Sequence, residues 1–376
     1  MKTRFYTVIP DFEEVFLYKD MGMIPYTLQE YYEYECTIVC YKKIKVSENV
    51  LKSGVNLHFS QMKSRYNNKI LDTLYYIRKN AKTIDILNVY GLKIAEALLW
   101  SKYYKIWNRQ GKVYLKLDIG YYNYQICEND KFFKKGIKKY MLRPIEVVSA
   151  ETQELANKVA KLYKKDIVYI PNGFSNLGIV RNPRFIEKED TILTVANLGT
   201  WPKATEVLLE AFARSVASHH WTLKLIGSIE SGFQDKIDEI MKSYPKVIEQ
   251  VIFAGEVKDR TQLAMEYKKA KVFILPSRKE GSPLVLAEAI SNGCYIITSD
   301  QVSSAMDITN DEKYGKVVKS DNIDQLVECI CEVCDDKRNW GKLALEIEQY
   351  ANDKFLWKDI CQRLNVLQRA EYENRN

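Results

Sequence analysis

Histidine is scarce. The 376 residues contain three, His58, His219 and His220, which leaves few candidates for an imidazole acid or base. His219 and His220 stand before the strand-like "WTLKLIG" and read as surface residues, while His58 in "VNLHFSQ" reads as structural. Long apolar runs are missing too; none approaches the roughly 18–20 residues that cross a bilayer. The opening "MKTRFYTVIPDFEEVF" meets Asp11 too early to supply a signal-peptide core. Cysteine is thin, eight scattered through a long chain, so a disulfide framework is not expected and a reducing cytoplasm fits. The run "CICEVC" (Cys329, Cys331, Cys334) lacks a neighbouring cluster to complete four zinc ligands and sits in a helical pattern, where a buried face is the expectation.

What is there is unevenly distributed. Residues 1–170 carry 29 Lys and Arg against 18 Asp and Glu, a surplus of 11, whereas the remainder is net negative by four. Such asymmetry points the first part toward something anionic, a nucleic acid or a lipid surface. No nucleic-acid reader motif accompanies the charge, so nucleic acid is not expected as a partner. The stretch "KFFKKGIKKYMLR" (131–143) concentrates six basic residues among Phe132, Phe133, Ile137, Tyr140, Met141 and Leu142. Two readings stand: a helix lying in a bilayer interface beside anionic lipid, or a helix whose apolar side faces the core and whose basic side is solvated.

Flat hydrophobic runs alternate with helical patterns along the chain. "RFYTVIP", "ECTIVCY", "TIDILNVY", "GKVYLKLDI" and "IEVVSA" read as strands covered on both faces. "IPYTLQEYYEY", "LDTLYYIRKNA", "LKIAEALLWSKYY" and "KFFKKGIKKYML" read as helices between them. After the turn in "YIPNGF" the alternation begins again and runs to "YIITSD". The expected architecture is α/β, two doubly wound Rossmann-like domains facing a central cleft. The expected boundaries are 1–170, 171–350 and a tail helix over 351–376 that crosses back to the first domain.

The stretch "SRKEGSPLVLAEAISNG" (277–293) carries the chemistry. Ser282 suits an N-cap, Pro283 the first helical position and Gly293 the C′ position. The first-turn amides near Leu284 and Val285 then form an anion site at a helix tip, which Gly281 lets a ligand approach closely. Glu288 lies one turn on, on the same face as Leu284, with no cation within a helical turn. A carboxylate there is repelled by phosphate but suits the two hydroxyls of a ribose. It is expected to meet a ligand rather than a buried Arg, the bland alternative being a helix residue that reaches solvent. Glu280, in the loop, is placed to hold the hydroxyls of a second sugar.

Glu280 and Glu288 form E-x7-E, and the string "PSRKEGSPLVLAEA" resembles the signature of retaining glycosyltransferases of family 4, whose fold is GT-B. The likeness covers most of the second half. "TVANLGTWPKATEVLLEAFA" resembles the segment that carries the family's diphosphate-binding Lys, here Lys203; "VIFAGEV" resembles a strand flanking the nucleobase, which implies Val257 near the base. In the first half "LYKDMGMIPYTL" looks like the loop after the first strand, which implies Gly22 against a sugar. Two departures stand out. "ANL" replaces the family's "GRL", so Asn197 takes the place of an Arg and Lys203 carries most of the diphosphate charge unless Arg278 or Lys279 helps. The family's first-domain His is missing, and Tyr90 or Asp118, at the strand ends "LNVY" and "LKLD", stands in its place.

The resemblance implies transfer of a sugar from a nucleotide-sugar donor, most commonly UDP-linked, with retention at the anomeric carbon. The acceptor would be a glycan, a lipid-linked sugar or a protein in surface polysaccharide or glycoconjugate assembly. No Asp-x-Asp motif occurs, and neither metal nor cofactor is expected. Catalysis is assigned to Glu280, Lys203 and Asp118, and donor binding to Glu288, Asn197, Val257, Gly281, Ser282, Leu284 and Val285. Gly22 and Tyr90 are assigned to the acceptor. A cytoplasmic protein, peripheral on the inner face of the plasma membrane, fits these partners. The competing readings are a nucleotide-sugar epimerase and a non-catalytic sugar- or polypeptide-binding protein on a degenerate GT-B scaffold.

Overall fold

The computed structural model describes residues 2–42, 56–91, 94–175, 187–215 and 220–373; His219 lies outside them. The chain divides into two units, Met1–Leu177 with Phe355–Asn376, and Gly178–Lys354. Among the described residues no helix is long and apolar enough to cross a membrane.

The first unit is built on seven parallel strands: β1 (Thr3–Val8), β2 (Tyr34–Cys40), β3 (His58–Gln61), β4 (Ile86–Tyr90), β5 (Lys112–Leu117), β6 (Val147–Ala150) and β7 (Val168–Tyr169). Their spatial order is β3-β2-β1-β4-β5-β6-β7. Every residue of β4, β5 and β6 is buried, as flat hydrophobic runs require when helices cover both faces. The edge strands β3 and β7 are four and two residues long and have no buried residue, so neither leaves the flat buried run that makes even the four-residue β6 legible. His58 is exposed on β3, its Nδ1 3.3 Å from Thr37 Oγ1.

The second unit repeats the plan with β8 (Glu189–Val195), β9 (Thr222–Ile226), β10 (Val251–Gly255), β11 (Ala270–Leu275), β12 (Tyr295–Ser299) and β13 (Gly315–Val318). Their order is β10-β9-β8-β11-β12-β13. In each sheet the order reverses beside the first strand, between β1 and β4 and between β8 and β11. A doubly wound sheet opens a ligand crevice at that point, beyond the carboxyl ends of the two strands. Two Rossmann-like parallel sheets are the architecture expected from the alternation. The tail helix Trp357–Glu373 belongs to the first unit: Tyr32 Oη donates to Lys358 O at 2.7 Å, and Trp357, Ile360 and Leu364 are buried with Phe5.

Two expectations change. The helix Asp20–Tyr31 begins before "IPYTLQEYYEY", so Gly22 lies in its first turn and not in a loop. A Cβ at Gly22 would stand 2.4 Å from Leu17 Cα; the glycine is explained by close packing onto the preceding 3-10 turn Glu14–Tyr18. The second change concerns the basic helix Phe132–Leu142. Phe132 is 92% exposed, Phe133 75%, Tyr140 57% and Ile137 43%, and Leu142 is its one buried residue. Its apolar side does not face the core. The three cysteines of the CxCxxC run lie on the helix Ile323–Asp335, Cys329 buried and the other two partly so.

Candidate functional site

In the second unit the loops after β8 and β11 flank the switch point. Beyond β8, Leu198 N–H donates to Ser228 O at 2.7 Å and Gly199 N–H to Thr205 Oγ1 at 3.0 Å. A single 3-10 turn, Trp201–Lys203, then leads through Ala204, at φ 50°, into the helix Thr205–Ser215. Asn197 lies beside this loop, its Oδ1 3.4 Å from Ser228 Oγ.

Beyond β11 the chain passes the buried Ser277 to Arg278, which ties the two loops together. Arg278 N–H donates to Pro202 O at 2.8 Å. Its guanidinium reaches Glu206 at 2.5 Å, Asp321 at 2.7 Å and Trp201 O at 3.0 Å. This corrects the expectation that Arg278 assists Lys203 on a diphosphate: the fork is already filled by two carboxylates and a carbonyl. Its effect is to bring the Lys203 turn against the loop of Glu280. Lys203 Nζ is ion-paired with Glu280 Oε1, both partly exposed. The Glu280 backbone is pinned in turn by Gln301 O, which accepts from its N–H at 3.2 Å, and by Ser303 N–H, which donates to its carbonyl at 3.1 Å. Ser304 N–H donates to Gly281 O at 3.1 Å. The hydroxyls of Ser277 and Ser304 are buried next to this loop without a partner among the described residues.

The helix that follows is Leu284–Ser291, and its cap differs from expectation. Pro283 is the N-cap, extended at φ −68° and ψ 131°, and no side chain caps the helix, so Ser282 stands one residue outside. The proline ring fixes φ at a value that an extended N-cap accepts, and the amides of Leu284 and Val285 remain the first of the helix tip. The far end is as expected: Gly293, at φ 73°, donates to Ile290 O at 3.0 Å and Cys294 N–H to Ala289 O at 3.0 Å, a Schellman close.

Glu288 is not left to a ligand alone. Arg260, from the helix Arg260–Lys269, stands 3.7 Å from its Oε1, and Tyr267 Oη donates to Oε2 at 3.2 Å. Burial raises the Glu288 pKa, and the Arg260 charge and the Tyr267 hydroxyl oppose that rise. Arg260 is itself partly exposed and comes from 28 residues upstream, beyond the reach of helical spacing, so Glu288 keeps access to a ligand while it has a cation beside it. Val257 is half-buried in the loop after β10.

In the first unit, Tyr90 ends β4 and is buried, its hydroxyl without a partner among the described residues. Burial holds that hydroxyl well above its ordinary pKa. Asp118 follows β5, and burial together with the Asp20 charge raises its carboxyl. Beside it the chain has a group that periodicity passed over. Lys116, fully buried on β5, lies 3.4 Å from Asp20 and 3.5 Å from Glu151 and donates to Asn172 Oδ1 at 3.0 Å. Burial pushes the Glu151 carboxyl up to about 8, with Asp118 and Asp20 adding to the rise and Lys116 opposing it. One lysine at this end of β5 faces three carboxylates. The signal was present in "VYLKLD", a lone charge inside a buried strand pattern. Asn88, buried two residues before Tyr90 on the same strand, has no partner for its amide among the described residues either.

The second unit matches a known family. Residues 179–354 fit the model described as "Glycosyl transferases group 1". An uncharacterized glycosyltransferase of Haemophilus influenzae is 23% identical over 222 residues, 57% of this chain and 54% of that one. Another, of Methanocaldococcus jannaschii, is 28% identical over 178 residues, 46% of this chain and 43% of that one. The chain thus spans about half the length of the curated relatives it matches. Among solved structures, Anabaena HepE in complex with UDP superposes with a TM-score of 0.72 at 15% identity, covering 98% of this chain and 100% of that one. The second unit thus resembles the group 1 glycosyl transferases, and the two-sheet fold of the chain is that of HepE.

Proposed function

We propose that the chain moves a sugar from a UDP-linked donor to a hydroxyl of a glycan, glycolipid or protein acceptor, with retention at the anomeric carbon and without a metal ion. The observation that carries this reading is the meeting of Lys203 and Glu280 beside the tip of the helix Leu284–Ser291, at the switch point of one sheet. A diphosphate brings more negative charge than one carboxylate and competes for the Lys203 ammonium. The helix amides and Lys203 then offset charge as it builds on the departing diphosphate. Glu280, released from the lysine, accepts hydrogen bonds from sugar hydroxyls, and Glu288, held by Arg260 and Tyr267, accepts those of the ribose. The bond from the anomeric carbon to the diphosphate oxygen breaks as the acceptor oxygen bonds to the same face, and the leaving UDP takes the acceptor proton.

The choice of uridine diphosphate draws support from HepE, whose structures hold UDP or UDP-glucose. On the acceptor side we assign Asp118, with Tyr90 and the Lys116–Glu151 pair, to holding the incoming hydroxyl. Calorimetric titration with UDP and with UDP-glucose tests the donor reading. Lys203→Ala should weaken both ligands about tenfold or more, the worth of one charged hydrogen bond. Glu280→Ala should weaken UDP-glucose while leaving UDP as tight or tighter, because it frees Lys203. Wild-type affinity for both ligands in both variants, or no binding by the unaltered protein, would end this assignment.

A further inference from the structure

The helix Phe132–Leu142 presents its apolar residues to solvent and its attachment to the body on the opposite side. At 3.6 residues per turn, Phe132, Phe133, Ile137 and Tyr140 cover an arc of about 140°, and all four are exposed. Gly136 lies within that arc, and a Cβ built there meets nothing within 4 Å. The opposite side holds Met141 and the buried Leu142, together with Lys138, whose Nζ is 2.5 Å from Asp130. Lys139 borders the exposed arc beside Phe132 with Arg143 following at the same edge, and Lys134 lies about 60° beyond Ile137 on the other side. Lys102, from the helix Ile94–Trp107, adds a further cation 3.5 Å above the Tyr140 ring. Residues 131–143 contain no acidic side chain. A helix kept only for packing would turn this arc inward.

We propose that this face docks on an anionic lipid bilayer. Two phenylalanines and an isoleucine can enter the boundary between headgroups and acyl chains, Tyr140 suits the headgroup level, and the flanking lysines meet lipid phosphates. Charge selects this occupant over a second copy of the chain, since a two-fold contact through the same face would set basic flank against basic flank. A nucleic acid would satisfy the cations but leave Ile137 without a stacking partner. The inference stands apart from the transferase reading, because membrane docking is measured without donor or acceptor.

Flotation of the full chain with vesicles of phosphatidylglycerol and phosphatidylcholine, against phosphatidylcholine alone, tests it. The protein should float with the anionic vesicles and remain below with the neutral ones, and added salt should weaken the association. The double variant Phe132→Ser/Phe133→Ser and the double variant Lys134→Glu/Arg143→Glu should each lower binding about tenfold or more. All four side chains are exposed, so melting temperature and UDP affinity should not move. Equal binding to both vesicle types, no flotation, or undiminished flotation of the serine variant would overturn the proposal. So would a dimer that the serine variant dissolves while vesicles have no effect on either protein.

Discussion

Arg278 shows how one side chain can matter to a site it does not enter. It spends its fork on Glu206, Asp321 and the Trp201 carbonyl, while its own amide holds Pro202. Lys203 is therefore presented by a turn that Arg278 fastens to the Glu280 loop. Arg278→Met should leave the partly buried Glu206 without its cation and cost about 2–3 kcal/mol of stability. It should also weaken UDP several-fold through the loosened turn. Arg278→Lys should recover only part of either, since an ammonium cannot fill a planar fork. Thermal unfolding and calorimetry on the two variants check this; an Arg278→Met protein with unaltered melting temperature and UDP affinity would show that the turn holds itself.

At the scale of the element, the strand runs and most helices follow from local pattern, and the exceptions have local causes. Strands β4, β5 and β6 are buried on both faces and read as mostly apolar runs, so they are legible despite Asn88 and Lys116 within them. The helix Asp20–Tyr31 is not, since it contains Pro25 and opens with nine consecutive buried residues, so neither propensity nor periodicity marks its start. Packing decides it. Gly22→Ala should accordingly act on stability and not on a sugar: the added methyl meets the Leu17 backbone, which cannot swing aside as a flexible side chain would. A loss of about 1–3 kcal/mol is expected from overpacking, read as a lower denaturant midpoint with UDP affinity unchanged. A variant of normal stability with altered ligand binding would return Gly22 to the site.

At the scale of the whole molecule, buried charge links folding to pH. Glu151 sits with Lys116, Asp20 and Asp118 at the carboxyl ends of the inner strands of the first sheet, its carboxyl held at about 8 against an ordinary value of 4.5. Below the ordinary value the folded and unfolded chains both carry the proton. As pH rises toward about 8 the unfolded chain sheds it first, so this group's contribution to stability declines across that window. Glu151→Gln removes the titration, and its melting temperature relative to the unaltered protein should be higher at about pH 8 than at about pH 5. An offset that does not change with pH would show that Glu151 is ionised in the folded chain.

The sequence alone determined what depends on near neighbours: the strand and helix alternation, the Gly293 helix close, and the loop-helix string that holds Glu280 and Glu288. Those features are written in spacings of two to eight residues, where backbone geometry fixes which side chains share a face. Tertiary structure alone decided which distant groups meet. Arg260 reaches Glu288, Arg278 gathers Glu206 and Asp321, Lys116 holds Asp20 and Glu151, and the helix Phe132–Leu142 turns its phenylalanines outward. No spacing rule encodes these pairings, because each is set by the order of strands in a sheet and by which helix face the remaining core has room to cover.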